Sequence, residues 1–404
     1  MSETVARKVE PSSSHPAPRR RRHLGIAALG AVVALAPVLF LSGLLGGGAV
    51  SVQAGSSYLP QTRTYFLGAD EVVWNYAPAG VNQITGQPFD ADAAVFVEPG
   101  PQRIGSSYLK SLYREYTDAS FGTLKPRSDA DQHLGMLGPV IRGVVGDTIK
   151  VVFRNNLDRP ASVHTHGVFY KKSSEGAPYD DGTAPTDKAD DAVPPGGTHT
   201  YTYGVPERAG PGPMDGSSVM WMYHSHTNEV ADDYAGLVGP MVITKAGAAR
   251  PDGTPRDVDR EFFLQFKVSD ENQSPYLARN IADFAGDPAS VNPQDPEFGE
   301  SNLMHSINGY VYGNQPLDTV TMRKGERVRW YLMGMGTEVD LHTPHWHGNT
   351  VTALGMRTDV VNLLPASMMV ADMVPDDAGT WLFHCHVNDH ITAGMLTRYR
   401  VLPR

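Results

Sequence analysis

The sequence predicts an all-β protein built from two tandem β-barrel or β-sandwich domains. Three observations support this fold class. After residue 54 the chain contains no long amphipathic helix, and its short β-branched or aromatic runs are separated by glycine, proline and aspartate, which is typical of strands joined by turns. Such runs lie at 148–153, 198–203, 328–332 and 380–383. The third observation is an internal repeat, which indicates that one domain has been duplicated.

The composition excludes several classes of protein. The chain has 404 residues, 41% of them hydrophobic, so each half is long enough to bury its own core. A net charge of -10 without a long basic stripe argues against nucleic-acid binding, because neutralisation of phosphates drives that association. A single cysteine, Cys385, excludes an intramolecular disulfide.

The N-terminus has the features of an export or anchoring signal. Four arginines at 19–22 precede an apolar stretch at 24–50, and small residues follow near position 54. This order is typical of a cleaved signal peptide, and the paired arginines suit the twin-arginine route. The apolar stretch also exceeds the roughly 20 residues that span a bilayer, so residues 1–54 are predicted to be a signal peptide or a membrane anchor. In both cases the rest of the chain is exported, and it is either secreted or tethered at the cell surface.

The internal repeat divides the exported part into two domains, predicted at 55–250 and 251–404, with a proline-rich linker at 251–255. Each domain has a strand that follows Gly-Asp or Gly-Glu, then a His-X-His-Gly motif, a second His-X-His motif and an Ala-Gly pair. The two copies differ in chemistry at two positions. The first has Ser225 and Leu237 where the second has Cys385 and Met395.

Four His-X-His pairs, at 164–166, 224–226, 345–347 and 384–386, are the main chemical signature of the sequence. Chance would give about 0.6 such pairs for the histidine content of this chain. Because residues i and i+2 of a strand point to one face, each pair directs two imidazoles into one space. Neutral imidazoles suit copper, zinc, iron or nickel, and eight of them exceed the four ligands of a structural zinc. The pairs therefore predict several metal ions close together.

Cys385 indicates that the metal is copper. A trigonal site of two histidines and one cysteine thiolate with a long axial methionine is the blue-copper electron-transfer arrangement. The second domain offers this set in His342, Cys385, His390 and Met395. Cys385 also lies between His384 and His386, so an electron that enters at its sulfur has a short path along the chain to the histidine cluster.

The four histidine motifs resemble the signatures of the multicopper oxidases, whose domains have a cupredoxin-like Greek-key fold. Carried over by motif position, the resemblance implies a type 1 copper at His342, Cys385, His390 and Met395. It implies a type 2 copper at His164 and His345. The type 3 pair would be held by His166, His224, His226, His347, His384 and His386, which gives four coppers per functional unit.

Other motifs resemble the ceruloplasmin and hephaestin branch, among them Tyr-Arg-Glu-Tyr-Thr-Asp at 113–118 and Leu-Gly-Met-Leu-Gly-Pro at 134–139. Two-domain relatives such as the small laccases are homotrimers with each trinuclear cluster between two chains. The resemblance therefore implies a homotrimer, and a head-to-tail interface with a closing rotation builds such a ring. The implied reaction couples one-electron oxidation of a substrate at the type 1 copper to four-electron reduction of dioxygen to water.

The reducing substrate stays open at this point, with ferroxidase activity favoured. Ceruloplasmin-like ferroxidases bind iron beside the type 1 copper through carboxylates and a histidine, and this sequence matches them at Glu300, His305 and Asp389. Laccase-like oxidation of phenols or aromatic amines needs only an exposed edge of a type 1 histidine. Oxidation of cuprous ion is a further alternative, based on methionines at 304, 333, 335, 368 and 369. Copper nitrite reductase is disfavoured, because its type 1 ligands lie in the first domain.

The resemblance also implies groups around the copper ligands. Tyr170 is similar to a tyrosine near the type 2 copper of small laccases that can supply an electron, and Glu175 and Asp359 are placed to relay protons to the reducing oxygen. The alternative is a buried strand aromatic and two surface acids.

A calcium site is implied by the ceruloplasmin-like first domain. Oxygen donors of the kind that Ca²⁺ favours lie in a Pro/Gly-rich loop, at Asp187, Asp190 and Asp191. Lys172 matches the position of a carbonyl ligand in those relatives. A solvated acidic loop is the alternative.

Overall fold

The computed structural model describes residues 58–404. The strands are β1 (Thr62–Asn75), β2 (Ser107–Tyr116), β3 (Ile141–Val144), β4 (Thr148–Asn155), β5 (His164–Thr165), β6 (Thr198–Gly204), β7 (Ser218–His224), β8 (Val238–Thr244), β9 (Arg260–Asp270), β10 (Leu303–Ile307), β11 (Thr321–Arg323), β12 (Val328–Gly334), β13 (Pro344–Trp346), β14 (Val351–Ala353), β15 (Met356–Thr358), β16 (Met368–Met373), β17 (Gly379–Cys385) and β18 (Leu396–Leu402). The α-helices are α1 (Ala91–Val97), α2 (Glu229–Ala235), α3 (Leu277–Phe284), α4 (Pro296–Ser301) and α5 (Asn388–Thr392). Short 3-10 helices lie at Asp129–Leu134, Lys172–Ser174, Pro185–Lys188, Glu207–Ala209, Glu271–Gln273, Pro288–Ser290 and Leu317–Val320.

Four sheets make up two similar halves of this part of the chain. In the first half the strand orders are β2-β1-β4-β6 and β3-β8-β7-β5. In the second half they are β10-β9-β12-β16-β14-β15 and β11-β18-β17-β13. Both halves mix parallel and antiparallel pairs, since β1 lies parallel to β4 and antiparallel to β2, while β12 lies parallel to β9 and antiparallel to β16.

Each half is a β-sandwich whose two sheets enclose an apolar core. In the first half Val151 of β4 and Tyr223 of β7, which belong to different sheets, share one buried cluster. In the second half Trp330 of β12 packs against Phe383 of β17 across the sandwich, with ring centroids 5.3 Å apart. The predicted all-β class with two tandem sandwich domains is confirmed, and the predicted strand runs lie within β4, β6, β12 and β17.

A helical insertion between β9 and β10 was not predicted from the sequence. It contains α3 and α4 and packs with α1, because Phe96 of α1 and Phe298 of α4 lie in one buried cluster with Met304 of β10. The neighbouring residue of β10 is His305, whose ring contacts Phe96 of α1 on one side and His390, a predicted type 1 ligand, on the other.

The limits of the two domains stay predictions. Residues 251–255 lie in the turns that connect β8 to β9. The predicted signal or anchor, residues 1–54, lies outside the described residues. Within residues 58–404 no helix is both long and apolar enough to cross a membrane.

Candidate metal centres

The first-half histidines are brought together by the pairing of β5 with β7. His164 lies directly opposite His224 in this antiparallel pair, and the chain beyond β5 turns so that His166 Nε2 lies 3.2 Å from His224 Nε2. Donor nitrogens of His164, His166 and His224 all lie within 4.8 Å of one another. The ring of His226 is 5.2 Å from the ring of His164. One face of the first half therefore gathers four imidazoles.

The second half repeats this arrangement. His345 of β13 lies opposite His384 of β17, and their nearest ring nitrogens are 3.3 Å apart. His347 Nε2 is 3.1 Å from His384 Nε2, and these three histidines also offer nitrogens within 4.8 Å of one another. The ring of His386 lies 5.2 Å from the rings of His345 and His384.

The two sets of four histidines do not meet within one chain. Within residues 58–404, every aromatic ring that packs against one of these eight imidazoles is another histidine of the same set or the ring of Tyr170. Each chain thus presents two separate half-sites.

Five of the cluster imidazoles, three in the first half-site and two in the second, are held in a form that suits metal binding. Burial, followed by the proximity of the other histidines, lowers the pKa of His166 to about 4 and that of His224 to about 3. Burial also lowers the pKa of His164, His345 and His384. These rings are therefore neutral at physiological pH and keep a lone pair for a metal ion.

His342, Cys385 and His390 converge in the core of the second half. Cys385 Sγ lies 3.9 Å from His342 Nδ1 and 3.6 Å from His390 Nδ1, and the two nitrogens are 3.2 Å apart. Met395 is fully buried in the same apolar cluster as Cys385. Burial by itself would raise the pKa of the Cys385 thiol, but hydrogen bonds with the two histidines lower it to about 6. A thiolate, two imidazoles and a thioether are the donor set that a blue copper ion takes, so the residues fit this metal.

Asp340, which was not predicted from the sequence, contacts a predicted type 1 ligand. Its Oδ1 lies 3.1 Å from His342 Nε2, and both side chains are fully buried. It also accepts the backbone N–H groups of Val268 and Thr337, at 2.7 and 2.8 Å. An aspartate two residues before a histidine is not a recognisable sequence motif. Its contact with the ring depends on the fold and could not be predicted from the sequence.

Two family models described as multicopper oxidase match the chain, one over residues 134–247 and one over residues 286–404. Each match contains one set of cluster histidines, and together they cover more than half of the chain. The chain belongs to the multicopper oxidase family. Membership of this family implies copper as the cofactor, and the donor sets described above fit that metal.

The most similar relatives among curated proteins include three human ones. The chain is 47% identical to Ferroxidase HEPHL1 over 343 residues, 47% identical to hephaestin over 344 residues, and 43% identical to ceruloplasmin over 349 residues. In each case the match covers 84% of this chain, but only 29%, 29% and 32% of the relative. The chain thus spans about a third of the length of these curated relatives.

Solved multicopper oxidase structures share the fold. One superposes with a TM-score of 0.53 at 16% identity, covering 84% of this chain and 89% of the other. The multicopper oxidase mgLAC superposes with a TM-score of 0.50 at 18% identity, covering 84% of this chain and 86% of the other. The cupredoxin-like character of the two domains is therefore confirmed.

The predicted iron-binding residues of this multicopper oxidase are only partly gathered. His305 is 8% exposed, and its ring lies 5.3 Å from the ring of His390. Asp389 is exposed in α5 and directly precedes His390. Glu300 is exposed in α4, and its carboxylate forms no hydrogen bond or ion pair with the rest of residues 58–404. The iron site thus stays a prediction.

The methionines that suggested cuprous oxidation lie in packed regions. Met304 and Met333 are fully buried and Met335 is 6% exposed, each within an apolar cluster. Met368 and Met369 are half-buried and pack against such clusters.

The residues predicted to assist dioxygen reduction lie beside the cluster histidines. The ring of Tyr170 is 5.9 Å from the ring of His164. The backbone carbonyl of Glu175 is 2.6 Å from His164 Nδ1, while its carboxylate is paired with Lys172 at 2.5 Å. In the second half, Asp359 Oδ2 lies 3.6 Å from His345 Nε2 and is exposed. Their roles stay predictions.

The loop predicted to bind calcium contains two adjacent buried acids. Asp190 is fully buried, and its Oδ2 accepts the N–H of Gly176 at 2.7 Å. Its Oδ1 has no hydrogen-bond partner within the described part of the chain, although the atom is buried. Asp191 is 6% exposed, whereas Asp187 is exposed. Lys172 begins the short 3-10 helix Lys172–Ser174. An unpartnered buried carboxylate oxygen fits a cation, and calcium binding by Lys172, Asp187, Asp190 and Asp191 stays a prediction.

Proposed function

We propose that this multicopper oxidase is an exported ferroxidase that couples oxidation of Fe(II) to reduction of dioxygen to water. Substrate electrons enter at the type 1 ligands His342, Cys385, His390 and Met395. Dioxygen is reduced where the two histidine half-sites meet in a homotrimer. The name of one relative, Ferroxidase HEPHL1, supports the choice of iron.

The observation that carries the proposal is the burial of the type 1 histidines. His342 is 1% exposed and His390 is 2% exposed, so neither presents an imidazole edge that a phenol ring could contact. The covering group on His390 is the ring of His305, which lies 5.3 Å away. A metal ion held by His305 and Asp389 would lie next to His390, and carboxylate with imidazole suits iron.

Bound copper would supply one-electron transfer at the type 1 site and the four-electron reduction of dioxygen at the histidine cluster. The protein supplies the connection between these sites. Cys385 is covalently linked to His384 and His386, and the carbonyl of Cys385 lies 2.7 Å from His384 Nδ1. That contact fixes the ring orientation of His384, whose Nε2 then faces His345 and His347.

The separation of the half-sites supports assembly between chains. Each half-site provides four of the eight imidazoles, and its own chain offers no ring from the other set. Apolar side chains are also exposed beside each half-site, at Phe169, three residues after His166, and at Val360, which pairs with His345 in an isolated β-bridge. A cyclic trimer would bury such surfaces and complete three clusters.

The experiment that tests the substrate is steady-state dioxygen consumption by the copper-loaded protein with Fe(II) and with a phenol. We expect Fe(II) to have the higher kcat/KM, and we expect the Glu300→Ala/Asp389→Ala variant to lose Fe(II) turnover while retaining any phenol turnover. A matched control is Glu297→Ala/Asp283→Ala, which removes two exposed acids from the same helical insertion. Faster phenol oxidation, unchanged by the first variant, would identify a laccase-like oxidase instead.

A further inference from the structure

The repeat places four residues of the first half where the second half has its type 1 ligands. Ser225 and Cys385 each lie between two cluster histidines, and Leu237 and Met395 each follow an Ala-Gly pair, although the intervening segment is two residues longer in the first half. Counting five residues back from Leu237 and Met395 gives Asp232 and His390, and counting three residues back from the first histidine of each cluster motif gives Ala161 and His342. The corresponding pairs are Ala161 and His342, Ser225 and Cys385, Asp232 and His390, and Leu237 and Met395. In the same way Arg159 corresponds to Asp340, since each lies five residues before the first histidine of its cluster motif.

The backbone around these positions is the same in both halves. In the first half, the N–H of Ser225 donates to the carbonyl of Leu237 at 3.1 Å, and the N–H of Leu237 donates to the carbonyl of Asp232 at 3.0 Å. The equivalent bonds of the second half run from Cys385 to Met395 and from Met395 to His390, at 3.1 and 2.8 Å. A type 1 scaffold is thus retained in the first half without its ligands.

An ion pair fills this scaffold in the first half. Asp232 has a fully buried side chain; its Oδ2 accepts the hydroxyl of Ser225 at 2.6 Å, and its Oδ1 lies 3.5 Å from Arg159 Nε. The other guanidinium nitrogens of Arg159 donate to the hydroxyls of Tyr276 and Ser111, at 2.7 and 2.9 Å. A guanidinium therefore provides the positive charge in this scaffold, and it is anchored on two sides.

The ion pair is connected to the cluster histidines through two serines. Ser225 separates His224 from His226 in the sequence, and its Oγ accepts the N–H of Ser162 at 3.1 Å. The hydroxyl of Ser162 in turn accepts the N–H of His226 at 3.0 Å. Ser162 lies two residues before His164, so this network joins both His-X-His segments of the first half.

We propose that Arg159 and Asp232 are positioning residues. Their ion pair takes the place that a type 1 metal would have in the second half and holds together the chain segments that carry the cluster histidines. The pair occupies the duplicated scaffold, fixes Ser225 and Ser162, and thereby sets the spacing of His164, His224 and His226. This inference rests on the proposed function, because it assumes that these histidines hold copper.

The test compares the Arg159→Met and Asp232→Asn variants with wild type. We expect both variants to bind copper at the histidine clusters about tenfold to a hundredfold more weakly and to change the hyperfine splitting of the type 2 copper in electron paramagnetic resonance spectra. We expect the thiolate-to-copper absorption of the type 1 site to stay unchanged. In the copper-free protein, we expect the imidazole NMR signals of the first half-site to shift or broaden.

The matched control is Arg63→Met. Arg63 pairs with Asp147 at 2.7 Å in the same half, and the carboxylate of Asp147 is buried like that of Asp232. We expect this variant to lose a similar amount of stability without any change in copper affinity or hyperfine splitting. Folded Arg159→Met and Asp232→Asn variants with wild-type copper affinity and spectra would overturn the inference, and so would equal changes in Arg63→Met. A wild-type protein that binds no cluster copper would instead overturn the proposed function.

Discussion

Asp340 Oδ1 lies 3.1 Å from His342 Nε2 in the interior of the second half, where neither side chain reaches solvent. This contact assigns the proton of the His342 ring to Nε2. The other nitrogen, Nδ1, is then left with its lone pair directed toward Cys385 and His390. The pairing resembles the carboxylate contacts that orient metal-binding histidines in other proteins.

Replacing this carboxylate should weaken the type 1 site. In Asp340→Asn, the amide oxygen can replace only one of the two carboxylate oxygens, so the NH2 group must face either His342 Nε2–H or the N–H of Thr337, and both are donors. We expect about a tenfold to hundredfold loss of copper affinity at the type 1 site, measured by chelator competition that follows the thiolate-to-copper absorption. Asp372→Asn removes a half-exposed carboxylate from the same sandwich and serves as the control. Equal affinities in Asp340→Asn and wild type would contradict the orienting role.

His133 should make the protein sensitive to mild acid. It is fully buried, its Nε2 accepts the N–H of Phe263 at 2.9 Å, and burial lowers its pKa to about 4. In the unfolded chain the pKa is about 6.5, so between pH 6.5 and pH 4 the unfolded state binds more protons. The free energy of unfolding should therefore fall as the pH drops through this range, by up to about 3 kcal/mol from His133 alone.

Urea unfolding of the copper-free protein at pH 7 and pH 4.5 checks this contribution. The buried cluster histidines add to the slope in wild type, so the informative quantity is the difference between wild type and His133→Gln. We expect the variant to lose less stability on acidification. Parallel losses in the two proteins would show that His133 does not titrate in this way.

Glu175 offers a test of proton delivery to dioxygen. Its backbone carbonyl contacts His164, and this contact survives in Glu175→Gln, while the carboxylate is lost. If the carboxylate relays protons, reoxidation of the reduced protein by dioxygen should slow about a hundredfold, whereas reduction of the type 1 site by substrate should keep its rate. Rapid mixing that follows the type 1 absorption separates the two steps. Unchanged reoxidation would remove Glu175 from the reaction.

Asp190 should be required for calcium binding. We expect one Ca²⁺ per chain in protein dialysed against calcium, and its loss in Asp190→Asn, because the unpartnered Oδ1 of Asp190 needs a cation. Asp180→Asn, which alters an exposed acid of the same loop region, should keep the ion. Elemental analysis before and after chelation measures the content. A wild-type protein that contains no calcium after this dialysis would show that the loop does not bind the ion.

The sequence predicted the fold and the grouping of the histidines because both follow from short-range rules. The spacing of two residues keeps His345, in β13, and His347, just beyond it, close enough that both reach His384, and turn residues separate the strands. Contacts between segments that are distant in the chain leave no comparable pattern in the sequence. In the sequence, nothing distinguishes Asp340, Arg159 and Asp232 from ordinary surface charges. Only the fold brings Asp340 to His342, and the pair of Arg159 and Asp232 to Ser225. The helical insertion that packs against β10 was missed for a similar reason, because α3 and α4 are short and are stabilised by packing rather than by a long periodic pattern.

Complementation between two inactive variants tests most directly whether the trinuclear site is shared between chains. The first, His164→Ala/His166→Ala, removes ligands from one half-site, and the second, His345→Ala/His347→Ala, removes ligands from the other. Each variant alone should keep its type 1 absorption but fail to reduce dioxygen.

Refolding the two variants together should restore turnover, since a cluster between chains can combine an intact half-site from each. Random mixing in a cyclic trimer would repair about one quarter of the clusters, so we expect about one quarter of wild-type dioxygen consumption. No recovery in mixed oligomers whose composition is verified by mass spectrometry would contradict a trinuclear site shared between chains.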